Sequence, residues 1–232
     1  MLQPSHWVVI PAAGVGTRMK ADRPKQYLPL HGRTVIEHTL ACFTHHPAIA
    51  GIVVAISEGD PYWGHLHIDS DVPLHVARGG VERCHSVLNA LHTLDGLADD
   101  NDWVLVHDAA RPCLSRLDID SMLTELDDDP VGGILAVPVR DTMKRADAQQ
   151  RIERTEDRAN LWHALTPQMF RLGLLRQSLE RALADGFVVT DEASAIEHGG
   201  QRPKLVEGSG SNIKVTRPED LALAEFFLSH HR

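Results

Sequence analysis

An open α/β sheet, mostly parallel and doubly wound, is the fold class this sequence predicts, and three observations predict it. Unbroken apolar runs recur at 7–10 (WVVI), 51–56 (GIVVAI), 103–106 (WVLV) and 132–137 (GGILAV), as suits strands buried on both faces. Helical patterns alternate with them, which implies parallel pairing with helices on either side of one sheet. Glycines or charged residues follow several of the runs, where the carboxyl ends of parallel strands hold ligands.

The first run leads into Pro11-Ala12-Ala13-Gly14-Val15-Gly16-Thr17-Arg18-Met19-Lys20 and then Pro24-Lys25-Gln26-Tyr27. Small residues after a strand let successive N–H groups converge on an anion, and Arg18, Lys20 and Lys25 bring full positive charge to the same loop. The dinucleotide fingerprint needs a third glycine where Met19 stands, and the P-loop Gly-Lys-Ser/Thr is absent. A nucleoside triphosphate site of another kind is the expectation.

Next, Thr34 is a candidate cap for a helix whose apolar positions Val35, Ile36, Leu40 and Phe43 continue toward Pro47. After the strand at 51–56, a short strand at 73–76 ends at Arg78-Gly79-Gly80. A helix over 81–94 then places Val81, Cys84, Val87, Leu88 and Leu91 on one face, with Arg83 and Ser86 in its first turns. Such a helix start suits an anionic or carbonyl-bearing ligand, and equally a plain helix beginning. The run 103–106 opens into His107-Asp108-Ala109-Ala110-Arg111-Pro112, where Asp108 suits a metal or hydroxyl and Arg111 a phosphate. Taken alone, the two also suit a structural ion pair.

From 139 to 158 charged and polar residues dominate, too few of them apolar for a core, and the alternation fits a projecting hairpin or a loop. Apolar sequence resumes at 161–168. The remainder reads as helices at 172–184, at 191–197 with Thr190 as cap, and at 218–228, with Lys214 in a short strand after a small-residue turn.

With 232 residues, 43% of them apolar, the chain suits one domain over 1–232. The net charge of −9 argues against a nucleic-acid surface, so any anion site must be local. The acid-rich segments 95–102 and 118–129 read as solvated loops and helix ends. No signal peptide or apolar run of about 20 residues is present, which predicts no membrane partner and a cytoplasmic location. Cys42, Cys84 and Cys113 lack metal or disulfide spacing and are expected to be reduced; the histidine pairs likewise lack ligand spacing.

Eight motifs in order, PAAGVGTRM (11–19), PKQY (24–27), GGVERCHSV (79–87), VHDAARP (106–112), RDTMK (140–144), DRANLWHALTPQ (157–168), VVTDEASA (188–195) and NIKVTRPEDL (212–221), resemble one family across nearly the whole chain. It is the 2-C-methyl-D-erythritol 4-phosphate cytidylyltransferases of the non-mevalonate isoprenoid pathway. The resemblance implies a nucleotidyltransferase fold, a homodimer exchanging arms built from residues 139–160, and Mg²⁺ as cofactor. CTP and 2-C-methyl-D-erythritol 4-phosphate would be the substrates, and pyrophosphate a product.

By the same resemblance, Arg18 and Lys25 hold the triphosphate and stabilise the transition state, with Lys214 as a third catalytic cation. Ala12, Ala13, Gly14, Gly16, Gly80 and Ser86 form the nucleotide pocket. Asp108, Arg111, Thr142 and Thr190 line the substrate, Arg158 reaches it from the partner's arm, and Asp108 approaches the Mg²⁺ directly or through water. The chain departs from the family at His85, where an acidic residue often precedes the pocket serine. Two other readings compete: a cytidylyltransferase for another sugar-alcohol phosphate such as ribitol 5-phosphate, and a nucleotide-binding module without chemistry.

Overall fold

The computed structural model describes residues 4–14, 19 and 21–230. In chain order the elements are β1 (His6–Pro11), β2 (Pro29–Leu30), β3 (Arg33–Thr34), α1 (Val35–Ala41), β4 (Ile49–Ile56), β5 (Leu74–Arg78), α2 (Arg83–Thr93) and β6 (Trp103–Val106). They continue with α3 (Arg116–Leu126), β7 (Gly132–Pro138), β8 (Lys144–Ala146), β9 (Ile152–Thr155), β10 (Trp162–Arg171), α4 (Leu172–Ala184), α5 (Glu192–His198), β11 (Lys204–Glu207) and α6 (Pro218–His230).

A seven-stranded sheet in the order β11-β7-β10-β6-β1-β4-β5 forms the centre. Only β10 runs against the common direction, pairing antiparallel with both β6 and β7. Strand alternation explains why both faces are apolar. Val9, Val53, Val104 and Phe170 pack under α2, α4 and α5. Their neighbours Val8, Ile52, Leu105 and Met169 pack over α1 and α3. Each fully buried side chain of this size is worth about 1.5–3 kcal/mol, so the two-sided core holds the strands in register.

Helix starts follow local chemistry. Thr34 caps α1 in a reciprocal box with Glu37, as its sequence position predicts, although the α-helix ends at Ala41. Helix α2 begins at Arg83, so Val81 is not on its buried face and lies 98% exposed. The segment 118–129 is largely helix α3, with Asp118 completing a capping box with Ser115.

Four strands go beyond the sequence expectations: the two-residue β2 and β3, which pair with each other, and the longer β10 and β11. β10 was legible only as resumed apolar sequence, and β11 lies in a stretch read as mostly helical. The polar hairpin is present as β8 and β9, with every residue of both strands exposed. Among the described residues, no helix is long and apolar enough to cross a membrane.

Chain order fixes where a ligand belongs. From β1 the sheet grows through β4 to β5, then the chain returns to place β6 on the other side of β1. That reversal opens a crevice beyond the carboxyl ends of β1 and β6, from which the segments beginning at Ala12 and at His107 emerge.

Candidate active site

A cleft of about 180 Å³ occupies this crevice, walled by Ala12, Ala13, Gly14, Lys25, Gly80 and Arg83 and floored by Asp108 and Lys214. One wall is the segment after β1. Gln26 is buried and its amide donates to the carbonyls of Ala12 and Gly14, while the Ser57 hydroxyl donates to the Ala13 carbonyl at 2.9 Å. Fixing these carbonyls leaves the loop shaped by side chains outside it. Lys25 stands in a single 3₁₀ turn, Lys25–Tyr27, and its ammonium donates to the Val215 carbonyl at 3.0 Å. Gly16, Arg18 and Lys20, assigned to this loop from the sequence, lie outside the described residues.

The opposite wall is the turn into α2. A Cβ on Gly80 would stand 2.3 Å from the His85 Cβ and 2.9 Å from the His85 carbonyl carbon, so glycine is required there. The Ser86 hydroxyl accepts from the Gly80 N–H at 2.9 Å and donates to the Glu82 carbonyl at 3.2 Å. Its proton is therefore committed to the loop, and the α2 N-terminus has no side-chain cap. Glu82, Cys84 and His85 bring potential ligand atoms within 4.8 Å of one another beside this wall, a grouping that ligand-spacing rules miss.

Asp108 is the electrostatic centre. Its Oδ1 accepts from Arg83 Nε at 3.0 Å, and its Oδ2 faces Arg111 Nε at 3.3 Å and Lys214 Nζ at 2.9 Å. Burial alone would raise this carboxyl, but Arg83, Lys214 and Arg111 overcome it and hold the group far below the usual carboxylate range. Arg83 continues to Glu192 on α5, with Nη1 and Nη2 at 2.6 and 3.0 Å from the two carboxylate oxygens. Burial opposes the Arg83 charge, yet Glu192 and Asp108 together keep its pKa above the ordinary value.

His107 supports Asp108 from beneath. Its Nε2 lies 3.0 Å from the Arg111 carbonyl and its Nδ1 3.0 Å from Thr166 Oγ1, which also accepts the Asp108 N–H. These contacts suit the neutral ring, and burial pushes its pKa down to about 4. An unfolded histidine titrates near 6.5, so the unfolded chain binds the extra proton between those values. Stability from this group is complete above pH 6.5 and is lost as pH falls toward 4, by about 3 kcal/mol. Urea unfolding across pH 4–7 should therefore show a shallower slope in His107→Asn than in the wild type; equal slopes would remove His107 as the source.

The other predicted residues are dispersed. Arg111 is buried behind Asp108 and donates to the Asn212 carbonyl at 2.7 Å, outside the cleft lining. Lys214 lies in a segment without regular secondary structure, not in a strand. Thr190 precedes α5, whose cap is Asp191 in a reciprocal box with Ser194. Thr142 and Arg158 are exposed on the arm, and the Arg158 guanidinium donates to the Arg140 carbonyl of its own arm. Sequence reasoning missed Gln26 as the loop's anchor and Glu192 as Arg83's partner; both stand inside quoted motifs, which was the available signal.

A second, wider depression at the other end of the sheet gathers Asp95, Asp99 and Asp100 with Arg176, which pairs with Asp95 and Asp100.

Comparison with known proteins agrees with this geometry. The model of the family described as 2-C-methyl-D-erythritol 4-phosphate cytidylyltransferase matches residues 6–230. A Pseudomonas putida protein of that name is 63% identical over 219 residues, spanning 94% of this chain and 93% of its own. Its Vibrio vulnificus namesake is 58% identical over 224 residues, spanning 97% and 94%. Among solved structures, a 4-diphosphocytidyl-2C-methyl-D-erythritol synthase superposes with a TM-score of 0.86 at 37% identity, covering 98% of this chain and 100% of its own. The Francisella tularensis 2-C-methyl-D-erythritol 4-phosphate cytidylyltransferase gives 0.84 at 39% identity, covering 96% and 99%.

Proposed function

The chain belongs to the 2-C-methyl-D-erythritol 4-phosphate cytidylyltransferase family, and from that premise we propose how its cleft performs the reaction. The enzyme joins CTP and 2-C-methyl-D-erythritol 4-phosphate to give 4-diphosphocytidyl-2-C-methyl-D-erythritol. A phosphate oxygen of the sugar alcohol attacks the CTP α-phosphorus in line, the bond to the β-phosphate oxygen breaks, and pyrophosphate leaves. With a second pKa of about 6, the phosphate monoester is already a nucleophile near neutrality. No general base is needed, and catalysis consists of bringing two polyanions together and stabilising developing charge.

The observation carrying this reading is the convergence of Lys25, Arg83 and Lys214 on one crevice around an ionised Asp108. Ala12, Ala13, Gly14 and the turn at 80–86 take the nucleotide. Lys25, with Arg18, takes the triphosphate. Lys214 takes the substrate phosphate, and Asp108 and Thr190 face the polyol, with Arg111 holding Asp108 from behind. The oxygen donors of the cleft fit a nucleotide-borne Mg²⁺ better than a protein cage. Asp108, whose oxygens are already engaged by Arg83, Arg111 and Lys214, would hold the ion directly or through water. Bound there, Mg²⁺ would neutralise triphosphate charge.

Thr142 and Arg158 act from the arm of a second subunit in a homodimer. The wholly exposed hairpin supports this, because Met143 and Ile152 find no core within their own chain. Mixing Arg158→Ala with Lys25→Ala subunits should then restore up to about a quarter of wild-type turnover by random pairing, since one mixed-dimer site is intact. Absence of recovery after proven exchange would refute the shared site. Free Cys42, Cys84 and Cys113 and charged metabolite substrates support a cytoplasmic location.

Pyrophosphate release tests the whole reading. CTP should be consumed with 2-C-methyl-D-erythritol 4-phosphate in preference to ribitol 5-phosphate. Release with ribitol 5-phosphate alone would overturn the substrate, and CTP binding without product from either would favour a binding module.

A further inference from the structure

We propose that Glu192 is a positioning residue which, by holding Arg83, keeps the Asp108 carboxylate in place while Lys214 passes from Asp108 to the phosphate of the incoming substrate. The proposal rests on the cytidylyltransferase reading above and assigns a role to an ion pair that reading does not use.

Geometry supplies the first argument. Arg83 presents both Nη atoms to the two oxygens of Glu192 and turns its Nε to Asp108. A planar guanidinium engaged on two sides cannot rotate toward one partner without losing the other. Glu192 is 0% exposed and lies at the first position of α5, 109 residues from Arg83 in sequence. A buried carboxylate carries a large desolvation cost, and here the contacts described direct its charge at the group that fixes Asp108.

Charge balance supplies the second. Arg83, Arg111 and Lys214 against Asp108 and Glu192 leave one positive charge. Subtracting Lys214 leaves a neutral quartet, so the lysine can depart without stranding a buried charge. Its exposure agrees, since the Lys214 side chain is 37% exposed, against 29% for Arg83 and 10% for Arg111. Lys214 and Arg111 share Oδ2, whereas Arg83 alone holds Oδ1 among the contacts described. Without Glu192, Arg83 would be free to follow the substrate phosphate as well, and Asp108 would lose its orientation toward the polyol.

Steady-state pyrophosphate release and calorimetric CTP binding in the absence of the second substrate test this together. Glu192→Gln should lower kcat/KM for 2-C-methyl-D-erythritol 4-phosphate by about 10–100-fold, the worth of a charged hydrogen bond, with CTP Kd changed less than about twofold. Adding it to Arg83→Gln should cause no further loss, and Arg83→Lys, which keeps the charge without the fork, should not rescue. Should Arg83→Gln fold poorly by stranding Glu192, the pair Arg83→Met/Glu192→Leu removes both charges at little cost to stability and should show the same kinetic loss. CTP affinity falling in parallel, multiplicative losses, or retained activity in Glu192→Gln would overturn the proposal. Wild-type turnover in the same assay separates these outcomes from failure of the functional reading itself.

Discussion

Replacing Lys25 with alanine is expected to lower kcat by about 10²–10³-fold at saturating substrates, measured by pyrophosphate release. The ammonium lines the cleft opposite the Gly80 turn and is steadied by the Val215 carbonyl at 3.0 Å. Negative charge grows on the bridging oxygen as pyrophosphate departs, so a cation held in a partly dehydrated cleft contributes more to the transition state than to bound CTP. CTP affinity should consequently fall much less than kcat. A loss below tenfold would show that Lys25 only tethers the nucleotide.

Asp108→Ala carries the second large effect, and it falls on folding as well as on turnover. Removing the carboxylate leaves Arg83, Arg111 and Lys214 facing one another, with Arg111 8% exposed. Breaking a buried pair from one side costs about 3–5 kcal/mol because the remaining charge keeps its desolvation penalty. For a chain of this size that corresponds to a Tm lowered by about 6–20 °C. Asp108→Asn keeps the shape and should lose turnover with a similar direction of Tm change, since an amide cannot neutralise three cations. A Tm within about 2 °C of wild type for the alanine variant would contradict the description of Asp108 as the electrostatic centre.

The parallel core was legible because its strands are buried on both faces, so their apolar runs are continuous and their helices periodic. β10 was not legible for a physical reason. Its first residues pair with the end of β7 but are largely exposed, and its buried part carries Thr166, Pro167 and Gln168, with the register shifting between Ala164 and Gln168. Proline and buried polar groups weaken a strand signal even though Gln168 is fully used, donating to Asp191 and accepting from Ala193. β11 spans four residues, of which Val206 alone is buried, which leaves almost no pattern to read.

The site divides along the same line. Residues on the loops after β1 and β6 stood out as candidates because strand ends in a parallel sheet predict ligand positions. Thr190 was mistaken for the cap because Thr and Asp both cap well, and only the reciprocal bond with Ser194 selects Asp191. The Arg83–Glu192 pair joins two helices far apart in sequence, and no local period encodes such a pairing. What a sequence motif marks as a patch of polar residues, the fold resolves into an ordered set of charges around Asp108.

The proposed reaction is a direct displacement promoted by charge and position, with no residue acting as a covalent nucleophile. The stereochemical course at the α-phosphorus tests it most directly, using one diastereomer of CTP bearing sulfur at that position. One in-line displacement predicts inversion in the 4-diphosphocytidyl product. Retention would mean two displacements through a cytidylylated enzyme and would rule out direct attack.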